Sequence, residues 1–183
     1  YSAQLFKQIE GNYLAIGEKV SFDVKQFSKG SLNGSSPENV VAHWKAISSL
    51  SVKISDLNVG VQDAKNAINV MLKAYDKALS NDAILHAELL SIRSQILELT
   101  QQIGGSKIRS EVGEKDEYPT MGDYMWKANS SSSTYGPTAG QLQSLENANT
   151  LYDRIKTKLK SIEKSMTPLE EKLIKIGAPK IKN

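Results

Sequence analysis

Side chains able to move protons or hold metals are scarce in this chain: it has two histidines, His43 and His86, and no cysteine. Each histidine stands at the edge of an apolar helical stripe, His43 just before Trp44 and His86 just after Leu85. Neither has a second histidine, a cysteine or suitably spaced carboxylates beside it, whereas a metal site draws on several such ligands. Both are read as packing on the flank of a helix, and no metal is expected. Gly104-Gly105-Ser106-Lys107 shares letters with a phosphate-binding loop but lacks its first glycine and the strand that must precede it, so it reads as a helix stop. The neighbouring acids Asp116-Glu117 and Glu170-Glu171 point in different directions on a helix and cannot oppose each other across a cleft as acid and base. No nucleophile, base and orienting group can be assembled, so no catalytic residue and no cofactor is assigned. Asn33-Gly34-Ser35 and Asn129-Ser130-Ser131 match the glycosylation triplet, which has meaning only in a secreted protein of a glycosylating cell.

One concentration of recognition-type side chains remains. Tyr118, Tyr124, Trp126 and Tyr135 fall in an irregular stretch, 106 to 137, punctuated by Gly113, Pro119, Gly136 and Pro137. A connection of that length usually packs or functions, and amphipathic aromatics on irregular backbone suit sugar or protein recognition. Tyr118, Trp126 and Tyr135 form the candidate interaction surface. Within the stretch, 120 to 128 reads as a short helix that covers longer ones, with Tyr124 and Met125 inward and Trp126 outward; packing outweighs recognition, since burying such side chains is stabilising in itself.

The elements that position these residues follow from hydrophobic spacing. From Leu145 to Ile176 the apolar residues alternate at intervals of three and four through Ala148, Tyr152, Ile155, Leu159, Ile162, Met166, Leu169 and Leu173. That period suits helices packed at a shallow angle rather than a helix on a sheet. A second stripe runs Leu85, Leu89, Ile92, Ile96, Leu99, Ile103, and a third takes Val40, Trp44, Ile47, Ile54, Leu57, Val61, Ala64, Ile68, Met71 and Tyr75. The spacing predicts helices over 37–79, 82–103 and 138–176, with a bend allowed at Gly60 and a break at Thr167, where Thr167-Pro168-Leu169-Glu170 has the form of a capping box. Ile96, Leu99, Ile155, Leu159 and Ile162 should be buried together. The predicted fold is mainly α: an antiparallel three-helix bundle over 36–179, with a short crossover helix and an N-terminal β-hairpin.

Residues 1–29 read differently. Val20, Phe22 and Val24 alternate with polar neighbours, as in a strand with one half-buried face. Ala3 to Ile9 forms its partner across Glu10-Gly11-Asn12. An isolated hairpin is marginal in water, so these are expected to be terminal strands that pack on the helices or belong to a β domain upstream. The chain opens at Tyr1 rather than Met, which fits a piece of a longer or processed protein. Residues 28–35 form a linker by composition.

The net charge of +3 comes from lysines interspersed with acids. The densest basic run, Lys156, Lys158, Lys160 and Lys164, has neither an arginine cluster nor stacking aromatics, so nucleic acid is not an expected partner. No apolar run approaches the roughly 20 residues of a membrane span, and no membrane insertion is expected.

The order of features resembles the C-terminal region of bacterial exported proteins with BNR-type (Asp-box) repeats, sortilin-like β-propellers labelled glycosyl hydrolase-like. The resemblance rests on the strand Leu14-Ala15-Ile16-Gly17-Glu18-Lys19-Val20-Ser21-Phe22-Asp23-Val24-Lys25, followed by a long helical hairpin. It continues through the crossover Tyr118-Pro119-Thr120-Met121-Gly122-Asp123, the helix start Gly136-Pro137-Thr138 and the end Ile176-Gly177-Ala178-Pro179. The chain departs from that pattern in having Lys180-Ile181 where the family has Trp-Thr, and in carrying no Asp-box repeat, so no catalytic residue carries over. The resemblance implies a non-catalytic structural or interaction module, exported to periplasm, cell surface or medium, whose partner is its own upstream propeller and, beyond that, glycan or protein. The alternatives are an accessory part of a glycan-processing enzyme and a free-standing helical adaptor.

Overall fold

The computed structural model describes residues 1–25, 34–129 and 135–179, and the chain divides into two compact units, Tyr1–Gly34 and Ser35–Asn183. Most of the 28–35 linker, the Ser130 to Thr134 run and Lys180-Ile181 lie outside the described residues, as do Asn33, Ser130 and Ser131 of the glycosylation triplets.

The first unit is an antiparallel hairpin of β1 (Ser2–Ile9) and β2 (Asn12–Ser21). Glu10 at φ 49° and Gly11 at φ 84° make the reversal, both in the left-handed region that a two-residue hairpin turn requires. Register runs Ile9↔Asn12, Gln8↔Tyr13, Lys7↔Leu14, Phe6↔Ala15 and Leu5↔Ile16, then shifts before Ala3↔Val20, close to Gly17 at φ 76°. Beyond the ladder, the Phe22 amide donates to the Tyr1 carbonyl and the Tyr1 ammonium to the Phe22 carbonyl, each at 2.9 Å, while the two rings stack. Every strand residue is exposed. The expected half-buried face is therefore not observed, and β2 stops before Phe22 and Val24, which are exposed too. Two strands have no second layer of their own to bury either face.

The second unit holds α1 (Pro37–Tyr75), α2 (Ala83–Gly104), α3 (Lys107–Glu111), α4 (Met121–Ala128) and α5 (Ala139–Lys175). The chain is thus mainly helical. Ser36 caps α1 by accepting from the Asn39 amide, with Pro37 at the position whose N–H would be unpaired anyway. Asp82 caps α2, accepting from the Ile84 and Leu85 amides at 3.0 Å. Between them, the Tyr75 hydroxyl donates to the Asp82 carbonyl at 2.9 Å and accepts from the Asp82 amide at 3.1 Å, which fixes the reversal. This is why α1 ends at Tyr75 and not at Leu79: the Leu79 and Ser80 amides turn instead to the Ile176 carbonyl.

α1, α2 and α5 each pack against the other two, and α4 lies on α5 with further contacts to α2 and α1. Ile96, Leu99, Ile155, Leu159 and Ile162 share one core, with Val61, Ile68, Leu89 and Ala148 among its fully buried members. Three expectations change. Trp44 is 41% exposed while His43, expected on the flank, is buried, as is Leu50. α1 runs unbroken through Gly60, where a Cβ would come within 3.2 Å of Leu159 Cδ2, so the glycine serves close approach of α5. α5 runs unbroken through Pro168, and the Thr167 box does not form. Proline removes one backbone bond, but Ile162, Met166, Leu169 and Leu173 are buried on both sides of it, so packing holds the helix together. No helix among the described residues is long and apolar enough to cross a membrane.

Candidate functional site

The crossover begins at Gly105, whose φ of 82° ends α2. A side chain there would collide with the Asp116 carboxylate. That carboxylate accepts from the Ser106 amide at 3.0 Å, and Ser106 caps α3, a single helical turn within a stretch whose composition reads as irregular. Arg109 Nη1 donates to the Lys115 carbonyl at 3.4 Å, holding the far side of the same loop.

α4 starts in a closed capping box. The Thr120 amide and hydroxyl each donate to Asp123 Oδ2 at 2.8 Å, and the Asp123 amide donates to Thr120 Oγ1 at 3.1 Å. The Thr120 backbone bond, then the Thr120 hydroxyl, hold the Asp123 pKa below its ordinary value; burial opposes them, and the Lys127 charge adds the least. The Glu38 carboxyl at the start of α1 is likewise lowered, by its own backbone amide and the Ser36 hydroxyl.

α4 buries Met121 and Ala128, half-buries Tyr124 and Met125 against the core, and leaves Trp126 79% exposed. At its end the Ala128 carbonyl accepts from His43 Nε2 at 2.9 Å. A carbonyl only accepts, so Nε2 carries the hydrogen, and the buried Nδ1 has no partner among the described residues. His43 thus ties α1 to α4. His86 stacks on Tyr75 with ring centroids 4.8 Å apart. Both histidines are structural in their surroundings, and neither lines a surface groove described here.

The candidate surface residues are exposed but not gathered. Tyr118, 73% exposed, borders a groove of about 740 Å³ between the end of α2, the loop before α4 and the first half of α5. Trp126 borders another depression, beside Thr138 and Gln141 at the start of α5, and Tyr135 borders neither. The Tyr135 carbonyl accepts from the Ser35 amide at 2.7 Å, next to Gly136, where a Cβ would collide with Ser35.

The groove by Tyr118 is polar. Glu98 is bound to Lys158 at 2.8 Å and Asp116 is spent on Ser106, which leaves Arg154 and Glu117 without partners among the described residues. Such a lining can hydrogen-bond a polar ligand. The Thr120 hydroxyl at its edge is engaged with the Asp123 carboxylate in the α4 capping box, and no cluster of His, Cys, Asp and Glu that could hold a metal ion occurs among the described residues. Gln101 on α2 and Asn147 and Arg154 on α5 escape a reading of the sequence because each looks like an ordinary solvated position until the two helices pack. No family model, no curated protein and no solved structure matches this chain.

Proposed function

We propose that the chain is a non-catalytic structural and interaction module: an antiparallel three-helix bundle that carries a hairpin for docking onto a β domain. One observation carries this reading. Leu5, Ile9, Leu14, Ile16 and Val20 are between 45% and 66% exposed in the hairpin. Period-two alternation places them on one side of it. Lys7 and Asn12 share that side, yet most of it is apolar, and a largely apolar sheet face left open beside helices that bury a common core is a surface built for a second layer. Both strands also keep an outer edge that a neighbouring strand can extend.

The partner in this reading is a β domain encoded upstream, the propeller that the BNR-repeat resemblance implies, in an exported protein. The test is to express the chain with its native upstream sequence and introduce Leu5→Lys with Ile16→Lys. The expected result is an upstream β domain whose melting temperature falls in the variant while the helices melt as before. An upstream region without β structure, or one indifferent to both lysines, would overturn the reading.

The polar groove at Tyr118 supports a second reading, in which the crossover helps a glycan-processing parent hold its substrate. Its combination of planar polar groups with an exposed tyrosine suits a polyhydroxylated ligand. Titration with oligosaccharides, comparing the chain with Tyr118→Ala, decides it: saturable binding lost in the variant favours this reading, and absence of binding removes it.

A further inference from the structure

The outer side of α1 carries a row the core does not use. Trp44, Val52, Val59 and Val70 are 41%, 61%, 58% and 41% exposed. Between them, on the same side, come Ser48, Ser55, Gln62 and Asn66. At 3.6 residues per turn all of these fall within roughly an 80° arc, opposite the buried Leu57, Val61 and Ile68. No charge interrupts the row over its length. The outer face of α5, by contrast, is crowded with exposed Lys156, Lys160, Glu163 and Lys164.

We infer that this row is the contact face of a homodimer in which α1 of one copy packs antiparallel on α1 of the other. Charge placement selects the occupant and the direction. Lys45 and Asp63 flank the row on the same side, both exposed and both without a partner among the described residues. In a two-fold antiparallel pair, residues equidistant from the midpoint face each other. A midpoint between Val52 and Ser55 sets Lys45 opposite the partner's Gln62 and one residue, about 1.5 Å along the axis, from the partner's Asp63, within reach of the lysine side chain, and the symmetry repeats that pair. The same register sets Val52 against the partner's Ser55 and Val59 against the partner's Ser48, a large residue meeting a small one each time. A parallel pair would instead leave Lys45 and the partner's Asp63 about 27 Å apart along the axis and set the valines at the centre of the row each against its own copy. An unrelated helix would need no such self-complementary order.

Sedimentation velocity of the whole chain over a range of concentrations tests the inference. The expected result is a reversible dimer that Val52→Glu with Val59→Glu abolishes, with circular dichroism unchanged because both positions are exposed. Lys45→Asp should weaken the dimer roughly tenfold, and adding Asp63→Lys should restore it. Leu5→Lys with Ile16→Lys in the hairpin should leave it intact, which separates this contact from the proposed β docking. A chain monomeric at every concentration, a dimer that survives the two glutamates or is lost with the hairpin lysines, or a double charge swap no better than Lys45→Asp alone, would each overturn it.

Discussion

The hairpin and the helical unit are patterned with equal regularity and end in opposite states. Leu89, Ile96 and Leu99 on α2 meet Ile155, Leu159 and Ile162 on α5, and all are buried. Leu5 and Ile16 meet each other across the hairpin and remain 66% and 45% exposed. Periodicity decides which element forms and which side of it is apolar. Whether that side is covered depends on what else the chain supplies, and here the helices have partners in their own unit while the strands do not.

The largest test of this contrast is to remove the same kind of apolar bulk from each region. Leu159→Ala should cost about 2 to 5 kcal/mol, because its side chain packs on the backbone of α1 at Gly60 and leaves a cavity there. Ile16→Ala should cost less than about 0.5 kcal/mol in the chain alone. Equal losses in chemical denaturation would break the contrast, since Ile16 would then be core.

A smaller effect is expected at the crossover. Gly105→Ala forces a side chain into the left-handed region and against Asp116, and should destabilise by about 1 to 3 kcal/mol. Gly11→Ala, strained to a similar degree in the hairpin turn, should leave the melting of the helices unchanged. Thr120→Ala, which opens the α4 capping box, should cost about 1 kcal/mol by thermal melt.

The smallest effect concerns pH. The folded pKa of Asp123 is lowered, so its contribution is present above the unfolded value near 3.8 and is lost as pH falls through the lower folded one. Melts of Asp123→Asn between about pH 2 and 5 should show a flatter acid-side decline than the parent chain. An unchanged slope would show that the box does not hold the carboxylate charged.

Much of this architecture was legible in the sequence because the stripes of α2 and α5 bury as they read. α1 shows how the reading failed where it did. The interval of three and four passes through Val40, His43, Ile47, Leu50, Ile54 and Leu57, and following it strictly would have put His43 and Leu50 inside and Trp44 outside. Residue type favours Trp44 inside, yet spacing outranks residue type when a polar ring finds a carbonyl, as His43 does at Ala128. Pro168 misled in the other direction, since a local signal for a break was overridden by packing on both sides. At the crossover, the exposure of Trp126 could be read from spacing. The groove beside Tyr118 could not, because Gln101, Asn147 and Arg154 come together only when α2 and α5 pack.

Hydrogen exchange on the isolated chain, read residue by residue, tests most directly the claim that the hairpin is an uncovered docking element while the helical unit closes its own core. The account predicts strong protection for amides around Leu89 to Leu99 and Ala148 to Ile162, and weak protection throughout β1 and β2. Strand amides as protected as those helices would contradict it, because a hairpin that stable on its own needs no partner.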